Sequence, residues 1–170
     1  MNNMPLIPKL RVLPITTSKY AYVSSETHYH VTADKMPNLE KALGVSGFSN
    51  QMHTLTALES LQMFLDEDFG TPVTSAMPSL LQLEMTGSDN VECENISAWI
   101  HDDTFPNLTT LHMLKLFGVR MMPAAIASFT RLSMLSLVCM KDGYCDTPHR
   151  VRMIIHPEIF QMPNLISTVT

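Results

Sequence analysis

A short apolar phrase recurs along the chain. It consists of a large apolar residue, then Pro or Thr, then any residue, then Leu, as in Met77-Pro78-Ser79-Leu80. Copies begin at Ile7, Met36, Leu55, Met77, Phe105, Phe129 and Met162. Five of the eleven prolines occupy the second slot of the phrase. Successive copies are 19 to 33 residues apart, with a mean of about 26, which falls within the period typical of stacked repeats.

The residues after each phrase are also regular. Most copies continue as Leu-x-x-Leu-x-apolar, as in Leu80, Leu83 and Met85. The last two apolar positions alternate with period two, which predicts a short strand with one buried face. The copy that contains Leu39 fits this spacing poorly. Methionine fills irregular gaps well, so we expect a core role for those at repeat positions: Met36, Met63, Met77, Met85, Met113 and Met162.

Prolines upstream of the later phrases predict short helical turns. Pro72, Pro123 and Pro157 lie five or six residues before the next apolar anchor. Proline suits the first position of a helix, because its missing N–H has no partner there anyway. We therefore expect these segments to form helical turns that return the chain along a convex side.

The phrases resemble the leucine-rich-repeat family over nearly the whole chain, and are most similar to irregular arrays of plant immune receptors and oomycete proteins. The resemblance implies an α/β fold: a right-handed leucine-rich-repeat solenoid with short parallel strands on the concave face and irregular loops and short helical turns on the convex face. We interpret residues 1–170 as a single domain of about six to seven irregular repeats without recognisable caps, and expect a fragment of a longer array. The chain departs from the family at the slot three residues after the third apolar position, where the family usually has Asn or Cys. Here this slot holds Ser18, Asp66, Ser88, Leu116 and Met140.

Composition narrows the classes of partner. Apolar residues make up 45% of the chain, enough for a core, and the formal net charge is −5. An acidic balance argues against nucleic acid, which calls for a basic surface. There is no transmembrane run and no signal peptide, which favours a cytoplasmic location; a secreted parent stays open. Pairing of Cys139 with Cys145 and glycosylation of Asn95 or Asn107 also stay open.

Groups that could carry chemistry are few. His28 and His30 share one face of an extended segment, but zinc needs three or four converging ligands, so a loop is the better interpretation. The run that begins at His101 and continues with two aspartates is interpreted as a polar turn. No G-x-S-x-G, P-loop or G-x-G-x-x-G phrase is present. We therefore expect no enzyme, no cofactor and no bound metal.

The residues between the buried strand positions point to the opposite, concave surface. We expect partner contacts from Gln62, Phe64, Gln82, Glu84, His112, Leu114 and Ser136. The sequence thus predicts a protein-protein interaction or ligand-recognition module, from a receptor-like or immune-type protein, with self-association through uncapped ends. The alternatives are a structural or degenerate fragment without independent activity, and a metal-dependent enzyme built on the histidine pair.

Overall fold

The computed structural model describes residues 6–14, 33–46, 52–65, 75–87, 100–116, 124–139 and 155–169 of the 170-residue chain. Across these ranges the chain forms parallel strands and a few short helices. The coarse part of the predicted fold class, an α/β chain with a parallel sheet, is therefore confirmed.

The strands form one seven-stranded sheet whose strand order follows the chain order. Every neighbouring pair is parallel. The strands are β1 Val12–Pro14, β2 Lys41–Ser46, β3 Ser60–Leu65, β4 Gln82–Gly87, β5 Thr110–Leu116, β6 Met134–Cys139 and β7 Ile166–Val169. Each strand follows one apolar phrase, and we use "repeat" for a phrase together with its strand. Among the described strands, β1 and β7 each pair on one side only and form the edges of the sheet.

A hydrogen bond closes each phrase into a tight turn. The N–H of the Leu that ends the phrase donates to the carbonyl of the apolar residue that begins it, as from Leu80 to Met77 at 3.1 Å. The same bond closes all seven phrases, at 3.0 to 3.4 Å. Proline presets the backbone for the second position of such a turn, which explains why prolines concentrate there. The turn sets the start of the strand, two residues after the Leu in β1 to β6 and one residue after Leu165 in β7.

Side chains at the third phrase position join successive turns. The bonds run from Asn38 Nδ2 to the Pro8 carbonyl at 2.8 Å, from Asn107 Nδ2 to the Pro78 carbonyl at 2.8 Å, from Asn164 Nδ2 to the Thr130 carbonyl at 2.9 Å, and from the Ser79 hydroxyl to the Thr56 carbonyl. We name these four bonds the turn ladder. The ladder slot expected from the resemblance lies elsewhere: Leu116 is part of β5, and Ser18, Asp66, Ser88 and Met140 lie outside the described residues.

Alternate strand residues build a continuous apolar core. Leu61 and Met63 of β3 are each 1% exposed, and the matching positions of β4, β5 and β6 are at most 3% exposed. The leucines that end the five interior phrases are also buried. The core role predicted for the methionines is confirmed, because all six are buried. Each such side chain contributes about 1.5–3 kcal/mol, so most of the stability comes from contacts between adjacent repeats.

An irregularity in β2 explains why its repeat fits the pattern poorly. Ala42 pairs with Leu61 and Val45 pairs with Met63. Between these two pairs the chain advances three residues in β2 but only two in β3. The extra residue forms a bulge, and Gly44 within it has a φ of 77°. Glycine adopts this left-handed conformation without a Cβ clash. Ala42 and Val45 both remain buried, so the bulge restores the inward pattern.

Within the described ranges, three short 3-10 helices lie between strands: Met52–Thr54, Ala124–Ser128 and Pro157–Gln161. Pro157 opens the third helix, as the sequence predicts. The second begins directly after Pro123, which lies outside the described residues. Each helix buries one apolar residue in the core (Met52, Ile126 and Ile159). The first has no proline signal and was not expected.

Candidate functional site

The sheet register aligns the predicted contact residues into rows across neighbouring strands. Parallel pairing places Gln62, Glu84, His112 and Ser136 side by side in β3 to β6. Phe64 and Leu114 belong to a second row, in which Thr86 lies between them. Gln82 belongs to a third row, between Ser60 and Thr110. The rows follow from the constant distance between the Leu of each turn and its strand.

These residues lie on the side of the sheet opposite the core. Their strand neighbours, such as Met63 and Met113, are buried, and successive side chains of a strand point to opposite faces. Gln82 is exposed, and the other six are half-buried. We name this set of seven, Gln62, Phe64, Gln82, Glu84, His112, Leu114 and Ser136, the strand-face patch.

A hydrogen bond orders one side of the patch. The Gln62 amide Nε2 donates to Glu84 Oε1 at 2.6 Å. Both side chains are partly buried, so the bond limits the rotamers of each. Glu84 is the one acidic group in the described rows of β3 to β6. It therefore gives the centre of the patch a negative charge and a fixed set of acceptor atoms.

The middle row brings an acid, an imidazole and a hydroxyl together, since Glu84, His112 and Ser136 are register neighbours. A nucleophilic triad requires hydrogen bonds that connect these groups. Among the described residues, the carboxylate instead accepts a bond from Gln62, and no hydrogen bond joins His112 to Glu84 or to Ser136. The row therefore offers donors and acceptors for recognition without a connected proton relay.

Of the other candidate groups, only the run that begins at His101 lies within the described residues. His101 and the two aspartates after it are exposed in the turn before Phe105, as predicted for a polar turn. His28 and His30 lie outside the described residues. Within the ranges that the structure describes, no three His, Cys, Asp or Glu side chains are arranged to hold a metal ion.

Two features of this surface were not found from the sequence. Lys41 is exposed and belongs to the third row, the one that contains Gln82, where it lies between Val12 and Ser60. It was missed because the apolar pattern after Leu39 is irregular, so that this repeat was left out when the rows were predicted. The turn ladder was also missed, although Asn or Ser in the third phrase position is a visible signal for it.

Comparisons with family models, with curated proteins and with solved structures found no match to this chain. In the part of the chain that the structure describes, no helix is long and apolar enough to cross a membrane.

Proposed function

We propose that this chain is a right-handed leucine-rich-repeat solenoid that binds a protein partner through the strand-face patch, on its concave side. The repeat assignment is supported by seven phrases that close into the same turn and lead into parallel strands stacked in chain order. Each repeat contacts mainly its neighbours, which is how solenoid proteins are built.

The observation that carries the binding proposal is the composition of the strand-face patch. It combines a fixed carboxylate at Glu84 with the imidazole of His112, and it adds the apolar side chains of Phe64 and Leu114. Apolar anchors surrounded by polar groups are typical of protein recognition surfaces. The charge of Glu84 favours a partner that presents hydrogen-bond donors or a basic side chain at the centre.

The dimensions of the patch indicate its place in an interface. Four strands spaced by about 4.8 Å span ~14 Å, and the three rows, from Ser60 to Phe64 in β3, span ~13 Å. This area of roughly 200 Å² is about a quarter of the ~800 Å² that a partner usually buries on each side. We therefore infer that the patch is the centre of the interface and that neighbouring side chains such as Lys41 complete it.

A site-specific crosslinking experiment tests the proposal. A photo-crosslinking amino acid is placed at Gln82 in the patch, and at Arg131, an exposed turn residue, as the control. The partner captured only from Gln82 is identified, purified and titrated against the chain by calorimetry. Glu84→Ala and Phe64→Ala are expected to weaken binding about tenfold or more each, whereas Arg131→Ala leaves it unchanged.

The proposal fails if the patch variants bind the purified partner as tightly as the unaltered chain does. It also fails if both crosslinking positions capture the same proteins in the same yield. The second result would favour the alternative, a structural fragment without binding activity. Thermal melts of each variant separate a loss of contact from a loss of fold.

A further inference from the structure

The first and last repeats expose apolar groups that interior repeats bury. Ile7, Leu10 and Leu13 in the first repeat are only half-buried, as is Leu165 in the last. Their counterparts in the five interior repeats are at most 3% exposed. Among the described residues, four of the six exposed large apolar residues lie in or just before the two end repeats: Leu6 at 61%, Val12 at 43%, Phe160 at 63% and Ile166 at 78%.

The sheet edges at these ends are open as well. β1 and β7 each pair on one side only among the described strands. Half of the backbone N–H and C=O groups of an edge strand face away from its neighbour and can pair with another strand. Each end of the array therefore presents an apolar surface beside a row of backbone donors and acceptors, which is what one repeat presents to the next inside the array.

The turn ladder makes the two ends of the array different, since one end offers a hydrogen-bond donor and the other an acceptor. At four of the six joints between repeats, a side chain at the third phrase position donates to the carbonyl of the second position in the preceding repeat. In the first repeat the third position is Lys9, an exposed donor. In the last repeat the second position is Pro163, which offers only a carbonyl. A first repeat that stacks on a last repeat matches donor with acceptor, whereas two last repeats face to face would bring carbonyl against carbonyl.

We infer that a second copy of this chain stacks head to tail, with β1 of one copy extending the sheet beyond β7 of the other. The joint continues the parallel pairing and the apolar core that already link the repeats. Head-to-tail stacking leaves one head and one tail free in every dimer, so association continues into longer chains as concentration rises. This inference does not depend on partner binding at the strand-face patch, although Val12 and Ile166 belong to the same row as Gln82.

Sedimentation velocity over a concentration series tests the inference with the 170-residue chain. The head variant is Leu6→Glu with Val12→Glu, and the tail variant is Phe160→Glu with Ile166→Glu. All four side chains are exposed, so the substitutions leave the core intact. The matched control, Ala76→Glu with Leu81→Glu, adds the same charge at exposed positions of an interior repeat.

The unaltered chain and the control are expected to grow in mass with concentration. Each end variant alone is expected to associate at least about tenfold more weakly, since charge replaces apolar contact area at the joint. Mixed in equal amounts, the two variants form a one-to-one dimer, because the mixture restores one intact head and one intact tail. The remaining ends both carry glutamates, so growth stops at the dimer.

Three results would overturn the inference. The first is an unaltered chain that stays monomeric up to its solubility limit. The second is association that persists in both end variants. The third is a head variant that dimerises as well as the unaltered chain while the tail variant does not, which would mean a two-fold joint between tails. Circular dichroism melts identify any variant that has failed to fold, and the corresponding single substitution then takes its place.

Discussion

Asn107→Ala removes one bond of the turn ladder and leaves both flanking turns otherwise unchanged. The Asn107 amide donates to the Pro78 carbonyl at 2.8 Å in a partly exposed site. A bond of this kind contributes about 0.5–1.5 kcal/mol net. A loss near 1 kcal/mol lowers the melting temperature of a chain of this size by about 2–4 °C.

A serine at this position provides the decisive comparison. Ser79 occupies the same slot one repeat earlier, and its hydroxyl donates to the Thr56 carbonyl. Asn107→Ser should therefore recover at least half of the stability that Asn107→Ala loses. Urea unfolding followed by circular dichroism gives the midpoint and slope for both variants, and the slope should stay constant because the surface exposed on unfolding is unchanged.

The reasoning is refuted if Asn107→Ala leaves the urea midpoint where it is in the unaltered chain. It is also refuted if serine and alanine are equally destabilising, because the hydroxyl would then contribute nothing. Asn164→Ala serves as a positional control. Its bond links only the last repeat to the one before, so we expect local fraying there, detectable by hydrogen exchange, with a smaller shift of the global midpoint.

Further substitutions test the core, the bulge and the patch. Gly44→Ala should cost about 1–2 kcal/mol or more, because the buried Gly44 has a φ of 77°, and a loss below ~0.5 kcal/mol in urea unfolding would contradict this. Leu111→Ala should lower the free energy of unfolding by about 2–5 kcal/mol, because Leu111 is fully buried. Leu10→Ala should lower it distinctly less, because Leu10 is only half-buried. Equal losses in the same assay would argue against this burial pattern. Gln62→Ala should cost about 0.5–1.5 kcal/mol, because it removes the bond to Glu84. It should also weaken partner binding in calorimetry, and unchanged binding would remove Gln62 from the patch.

Much of the sheet could be predicted because the sequence pattern that marks each strand lies within a few consecutive residues. The Leu of each phrase is followed at fixed distance by two inward positions, as with Leu80, Leu83 and Met85, so one periodic pattern locates the turn, the strand and its buried face. The alignment of Glu84 with His112 follows from the same spacing. No contact between distant residues had to be inferred for this.

Shifts of a single residue could not be predicted. The bulge at Gly44 and the early start of β7 at Ile166 each change the register by one position, while the apolar content of the segment stays the same. The energy that decides such a shift depends on pairing with the neighbouring strand, which a single sequence does not display. The partner is unpredictable for a similar reason, because the patch records only one half of a complementary surface.

The arrangement of the strands in chain order affects how the protein is made. Every pairing in the sheet joins segments adjacent in sequence, so synthesis never has to wait for a distant segment before the next strand can dock. As each new phrase leaves the ribosome, the previous strand already offers a template beside it. Translation can therefore deliver the protein one layer at a time, and the most recently made layer is the one that a chaperone would meet uncovered.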